Sequence, residues 1–334
     1  MEQPEAYIPI DRRLALARGA DLPDRASGAA LFADISGFTP LTELLARDLG
    51  PQRGAEELTR QLIVIYSALI AKVDQHHGSV IGFSGDAITC WFDEKDEGGR
   101  MKDEAKTDTP SSSFILHSSA LRAVACALAM QQVIGQFATV ETPSGARVTL
   151  AIKVAVAAGP VRRFLVGDPG IQLIDVLAGA TLDRLAAAEH AAAKGEVLAS
   201  AEVASALGEL LLVNAWREDQ DGRRFAVVGG LAREVAATPW PAVAPGELRE
   251  DHVRPWLLPG VYERLRDEQA QFLAELRPAV ALFARFGGID YDGDERASRK
   301  LDGYIRWVQR IVARYEGALL QLTIGDKGSY FYVA

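Results

Sequence analysis

The chain has 334 residues, a formal net charge of −9, 49% hydrophobic and 24% charged residues, which is enough for one large or two ordinary globular domains with full cores. No block of lysine or arginine interrupts the acidity, and this excludes nucleic acid or an anionic membrane as the main partner. The cysteines Cys90 and Cys126 lie in apolar stretches, no signal peptide or bilayer-length apolar run is present, and a cytoplasmic, reducing location is expected.

Residues 1–26 read as a lead-in of low order. Ala29 to Asp34 has the pattern of a buried strand and passes directly into Ile35-Ser36-Gly37-Phe38-Thr39. Thr39 to Leu49 is a short predicted helix, with Thr39 able to cap it and Pro40 suited to its first turn. Gly54 to His77 predicts a long helix, because Leu58, Leu62, Ile65, Tyr66, Leu69, Ile70 and Val73 recur close to a 3.6-residue period. Gly78 ends it. His76 and His77 read as cationic imidazoles at the helix C-terminus rather than metal ligands, and His190 and His252 have no partners at ligand spacing. Ser79–Phe83 and Ala87–Phe92 form a hairpin with Asp86 near its tip. An acid at a strand end beside glycine can reach a divalent cation while backbone N–H groups approach a phosphate. Asp34 or Asp86 alone is more often a turn residue. The two together, with an amphipathic helix between them, point to a metal–phosphate site.

Asp93 to Ser113 carries charge, glycine and serine with hardly any large apolar side chain, and a mobile surface insertion is expected at 94–113. Phe114–Phe137 returns to helix and Val148–Ala157 to strand, with Arg162–Val166 a further strand. Gly179–Ala193 is an alanine-rich helix, and Val197–Ser200 and Arg224–Val228 are closing strands. This alternation predicts an α+β fold, a mixed sheet with helices on one face. Prolines at 239, 241, 245, 255 and 259 mark a linker. Beyond it, Glu275–Phe286 (strand), Ser298–Tyr315 (helix), Ala318–Ile324 and Ser329–Val333 (strands) repeat the opening order. The expected organisation is a first domain at 27–230, a linker at 231–272 and the beginning of a homologous second domain at 273–334. The chain stops in mid-strand and reads as a fragment of a longer protein.

Phe32-Ala33-Asp34-Ile35-Ser36-Gly37-Phe38-Thr39 and Phe83-Ser84-Gly85-Asp86-Ala87 resemble, in spacing and order, the two metal segments of the class III adenylyl and guanylyl cyclases. The resemblance is nearest to the tandem-domain soluble adenylyl cyclases. It implies a ferredoxin-like mixed sheet, two magnesium ions (or manganese) held by Asp34, Asp86 and the Ile35 carbonyl, and conversion of ATP to 3′,5′-cyclic AMP and pyrophosphate. Ser36, Gly37, Phe38, Thr39 and Gly85 would lie along the nucleotide, with Gly37 and Phe38 offering N–H groups to its phosphates. A second cyclase domain in cis would complete the site. In that domain Phe283-Ala284-Arg285 matches Phe32-Ala33-Asp34, so an arginine replaces the first acid, and a salt bridge to a neighbouring acid is its expected role. Gln321 stands near the usual base-reading lysine, and Lys327 lies close to the second hairpin tip, where a solvated turn lysine is an equal reading.

Homodimeric members carry Asn and Arg four residues apart in a helix start; here Asp183 and Ala187 hold those places. Gly82 and Ala186 hold the places of the bicarbonate-binding lysine and arginine, so no bicarbonate response is expected. A catalytically silent nucleotide-binding module and a guanylyl cyclase remain the alternatives.

Overall fold

The computed structural model describes residues 4–94, 118–244, 246–266, 279–325 and 328–334. Apart from Glu94, the insertion expected at 94–113 lies outside the described residues, as does the beginning of the strand expected from Glu275. The chain begins with helix α1 (Ile10–Ala17), strand β1 (Arg25–Ser36), helices α2 (Phe38–Leu49) and α3 (Pro51–Gln75), and the hairpin β2 (Ser79–Ser84) and β3 (Ala87–Asp93). There follow α4 (Ser119–Ile134), short strands β4 (Thr139–Glu141) and β5 (Arg147–Thr149), the long β6 (Ala151–Val166) and β7 (Ile174–Ala178). Next are α5 (Ala180–Ala191), β8 (Val197–Ser200), α6 (Ala201–Leu207), β9 (Leu211–Glu218) and β10 (Arg224–Leu231). The last part holds α7 (Glu250–Val253), α8 (Pro259–Arg266), β11 (Leu282–Phe286), α9 (Ala297–Ala313), β12 (Leu319–Gly325) and β13 (Gly328–Val333). Contacts divide these elements into two compact units. The larger holds residues 26–160 and 181–240, and the smaller holds 1–25, 161–180 and 241–334.

The larger unit is built on a mixed sheet in the order β2-β3-β1-β6-β8-β10-β9, the α+β arrangement expected. β1 runs antiparallel to β3, and β6 parallel to β8. Ala29, Leu31, Ala33 and Ile35 of β1 enter one core with Ile88, Cys90 and Phe92 of β3 and Ile152, Val154 and Val156 of β6. Leu41 and Leu45 of α2, Ile65, Leu69 and Val73 of α3, Val124 and Met130 of α4, and Val203 of α6 close over them. Each fully buried side chain of this kind stabilises the fold by roughly 1.5–3 kcal/mol. Strand side chains alternate between faces, so Phe32, Asp34, Thr89 and Lys153 belong to the face opposite these four helices. The Cys90 and Cys126 thiols are fully enclosed, and burial pushes both well above the ordinary thiol range.

Several local expectations are corrected. α2 begins at Phe38, and its cap is Gly37 rather than Thr39, because glycine takes the left-handed φ of 111° that the strand-to-helix turn requires. Pro40 still falls in the first turn, where a missing N–H costs nothing. His76 is buried, and burial holds its imidazole below the usual histidine value, with Nδ1 on the Lys72 carbonyl at 2.8 Å. It is therefore not a cationic cap. His77 instead stacks on Trp240, with ring centroids 3.5 Å apart, while the indole N–H of Trp240 donates to the Gly78 carbonyl at 2.7 Å. The start of the proline-rich stretch thus straps the end of α3. The strand expected at 162–166 is the continuation of β6, and β9 was not anticipated because its exposed positions break the apolar pattern.

In the smaller unit β7 pairs antiparallel with the end of β6, and a three-stranded sheet runs β11-β13-β12. That order repeats β1-β3-β2. Phe164, Val166, Val176 and Ala178 share a core with Leu301, Ile305 and Val308 of α9 and with Leu319, Phe331 and Val333. Residues 10–17, expected to be irregular, form α1, which buries Asp11 and Arg12. Arg163 donates to Asp11 and Asp175, and Arg12 donates to Asp175 at 3.1 Å while lying 5.9 Å from the Trp256 ring centroid. Two buried acids and two buried guanidiniums neutralise one another, the condition under which such burial is tolerated.

Candidate metal and phosphate site

Asp34 stands at the end of β1 opposite Ala87 of β3. The Ile35 N–H donates to the Asp86 carbonyl at 3.1 Å, stitching the strand end to the hairpin tip. Gly85 makes that tip tight by adopting a φ of 64°. A register shift between Val80 and Gly82 twists β2 just before it. These local features set Asp34 at the strand end next to the hairpin tip that carries Asp86. Partial burial, then the charge and contact of Asp34, raise Asp86 above the ordinary carboxylate value, against the lowering effect of its own backbone N–H and of Lys153.

Lys153, missed at the sequence level, completes the cluster from β6. Its ammonium lies 3.4 Å from Asp34 and also pairs with Glu189 of α5. Burial works against the ammonium, but Glu189 and Asp34 outweigh it and hold Lys153 above the usual lysine value. The signal was present, since Lys153 is the lone charge in the apolar stretch Ala151–Ala157. α5 thus departs from the one-sided helix layer by sending Glu189 to the acid-bearing face.

Gly37 turns the chain from β1 into α2. A Cβ there would lie 2.6 Å from the Thr149 carbonyl oxygen, so only glycine lets the backbone pass. The free N–H groups at the start of α2 follow at once, next to Phe38, which is buried, and Thr39, which is exposed. Ser36 donates to the Ala151 carbonyl at 3.2 Å.

On β12, Gln321 donates its amide N–H to Thr323 Oγ1 at 2.8 Å. Lys327 lies outside the described residues. The Arg285 guanidinium lies against Gly328. Asp183 is exposed on α5, whereas Ala187 is buried.

The oxygen donors that the sequence nominates for a cation are the Asp34 and Asp86 carboxylates and the Ile35 carbonyl. Among the described residues no group of three or more His, Cys, Asp or Glu side chains is placed to hold a metal. Hard oxygen donors of this kind suit magnesium, which is bound by few carboxylates and keeps part of its water and phosphate shell. The charge of Asp34 raises Asp86, and a divalent ion would relieve that repulsion, so the residues fit it.

No family model matches the chain. It is similar to adenylate cyclase type 10 of Oryctolagus cuniculus, 28% identical over 176 residues that cover 52% of this chain and 9% of the relative. Against adenylate cyclase type 10 of Homo sapiens it is 22% identical over 348 aligned positions, covering 92% of this chain and 19% of the relative. The chain thus spans less than a fifth of these curated relatives. Among solved structures it is similar to the adenylyl cyclase CyaB from P. aeruginosa, with 19% identity, TM-score 0.48, and 64% of this chain and 98% of that one covered. The guanylyl cyclase Cya2 gives 23% identity, TM-score 0.45 and coverage of 64% and 98%. Among the described residues no helix is long and apolar enough to cross a membrane. Asp34 and Asp86 thus stand at a strand end and the neighbouring hairpin tip, and the curated proteins to which the chain is similar are adenylate cyclases.

Proposed function

We propose that this chain is the core of an adenylyl cyclase that closes ATP to 3′,5′-cyclic AMP with release of pyrophosphate. The observation that carries this reading is the strand end of Asp34, ion-paired to Lys153 and tied through the Ile35 N–H to the hairpin tip that carries Asp86. Magnesium bound there supplies the charge that acidifies the ribose 3′-hydroxyl and neutralises the triphosphate. Asp34, Asp86 and the Ile35 carbonyl hold the ions. Lys153 neutralises Asp34, and with a cation held by the acids its ammonium would be available to a phosphate. Gly37 keeps the approach to the α2 N-terminus clear, so the N–H groups of Gly37 and Phe38 meet the phosphates, with Ser36, Thr39 and Gly85 around them. The remaining nucleotide contacts would come from a second cyclase-type domain in cis, for which Gln321 and Lys327 are the candidate residues by sequence.

The test is cyclic AMP formation from ATP and magnesium by a protein extended beyond Ala334, compared with its Asp86→Asn variant and with GTP in competition. Cyclic AMP that disappears in the variant supports the reading, and product from GTP alone would move it to a guanylyl cyclase. A silent nucleotide-binding module is the second reading, favoured by one observation: Asp183 and Ala187 stand where homodimeric members place Asn and Arg. Binding of ATP with no cyclic product by the extended protein would select it.

A further inference from the structure

α3 and α9 end in the same way. Among the described residues only two that are not glycine have a positive φ, His77 at 57° and Glu316 at 58°, and each is followed by a glycine and then a strand. The Gly78 N–H donates to the Val73 carbonyl at 2.9 Å and the His77 N–H to Asp74 at 3.2 Å. The Gly317 N–H donates to the Val312 carbonyl at 3.1 Å and the Glu316 N–H to Ala313 at 3.2 Å. Both ends are Schellman motifs, and Gly317 is the counterpart of Gly78. What lies over them differs. In the larger unit Trp240 stacks on His77 and donates its indole N–H to the Gly78 carbonyl at 2.7 Å, while the Thr238 N–H holds the Gln75 carbonyl at 2.8 Å. In the smaller unit the corresponding end opens onto a cavity of about 610 Å³. Val312, Gly317, Leu319 and Leu320 line it from α9 and β12, with Ile171 and Val261 from other segments of the same unit. Arg264 and Glu316 add one charge of each sign. Tyr315, the counterpart of the buried His76, is 82% exposed. A cavity of this size with mainly apolar walls and a few polar groups has the character of a small-ligand site.

We propose that this cavity is a binding site for a flat aromatic ring carrying an N–H donor, the chemical class that indole represents. The first repeat supports the assignment directly, because the same helix end, closed by the same two hydrogen bonds, is covered there by such a ring. The ring's faces bury apolar surface, and its N–H, directed at the Gly317 carbonyl as that of Trp240 is at Gly78, sets the orientation. Two sources share this chemistry, a free small molecule and a tryptophan of an extended peptide, and the test separates them. None of the residues assigned to the cyclase site takes part, so the two readings stand independently.

Indole and a synthetic peptide of the chain's own residues 236–243, which include Trp240, are titrated separately into the full chain and followed by amide chemical shifts. Indole is expected to shift the Val312, Gly317 and Leu319 amides with a Kd on the order of a millimolar or below, while His77 and Gly78 stay in place. Tighter binding of the peptide at the same amides assigns the ring to a tryptophan, and weaker binding assigns it to a free molecule; both support the site. Leu320→Asp changes a side chain of the lining that is 49% exposed, and Ala313→Trp fills the cavity from an exposed position at the end of α9. Each is expected to weaken indole binding at least about tenfold. Trp240→Ala uncovers the first helix end, and indole should then shift His77 and Gly78 as well. No shift at Gly317 in the wild-type chain at the solubility limit of indole overturns the proposal. So do shifts that persist unchanged in both cavity variants. Indole binding at Gly78 of Trp240→Ala without binding at Gly317 also overturns it, since the two helix ends would then not be equivalent.

Discussion

In β1 the strand end carries Asp34, paired across to Ala87 of β3; in β11 the matching place carries Arg285, paired across to Tyr330 of β13. Both strands belong to the same order of neighbours, β1-β3-β2 in the larger unit and β11-β13-β12 in the smaller. Each is followed by a glycine at a positive φ, Gly37 at 111° and Gly288 at 86°. Around Gly37 the backbone is crowded, with the Thr149 carbonyl oxygen 2.6 Å from where a Cβ would stand, whereas a Cβ on Gly288 would meet nothing within 4 Å. One scaffold is thus used twice. In the first copy charge and crowding meet at the strand end, and among the described residues of the second copy Gly288 has no such crowding. The lesson is that the sheet order needs only apolar alternation, whereas the site needs particular atoms at its end.

Substitutions at the two strand ends give the largest expected contrast. Asp34→Asn is expected to lower cyclic nucleotide formation at least about a hundredfold in an extended protein and to abolish the thermal shift produced by magnesium, since half the charge of the site is gone. Arg285→Gln should leave that thermal shift intact. An equal loss in both variants would end the proposed asymmetry.

Next in size is a separation of the two units by stability. Arg163→Met leaves Asp11 and Asp175 buried with one guanidinium between them, at a cost of about 3–5 kcal/mol. Hydrogen exchange should show the loss in α1, β7 and α9, with α3 and α4 of the larger unit protected as before.

The glycine pair yields a smaller, differential effect. Gly288→Ala is expected to cost about 1–2 kcal/mol from its left-handed backbone alone, while Gly37→Ala adds a backbone collision and should cost more in a denaturant titration. Equal costs would show that the turn after β1 is no tighter than its counterpart.

The smallest effect concerns pH. Burial lowers the His76 imidazole in the folded chain, so the unfolded chain binds more protons near its ordinary value of 6.5. Stability then rises with pH through the window just below 6.5 and levels off above it. His76→Asn should flatten that part of the stability profile, and a profile unchanged by the substitution would mean that His76 does not titrate differently on folding.

Much of the larger unit was legible in the sequence because its elements are contiguous and periodic. The alternation in Ala29–Ile35 and the 3.6-residue spacing in α3 each encode one buried face. The placing of Asp34 at a strand end beside the hairpin that carries Asp86 was legible for the same reason, since each ends an apolar run whose partner is the neighbouring strand. Lys153 and Glu189 were not, because their meeting depends on β6 and α5 being brought together by the sheet rather than on any spacing within either. Nor was the role of residues 10–17: Asp11 and Arg12 look like solvated polar residues until Arg163 and Asp175 arrive from far along the chain.

What the sequence determined by itself was the principal strands and helices, their repeated order and the places of the two acids along it, because hydrophobic periodicity and turn glycines act over short distances. Only the tertiary structure decided which charges neutralise one another and that residues 161–180 pack with the second repeat. The physical reason is range. Backbone pattern is fixed by neighbours a few residues away, whereas ion pairs depend on which surfaces exclude water together.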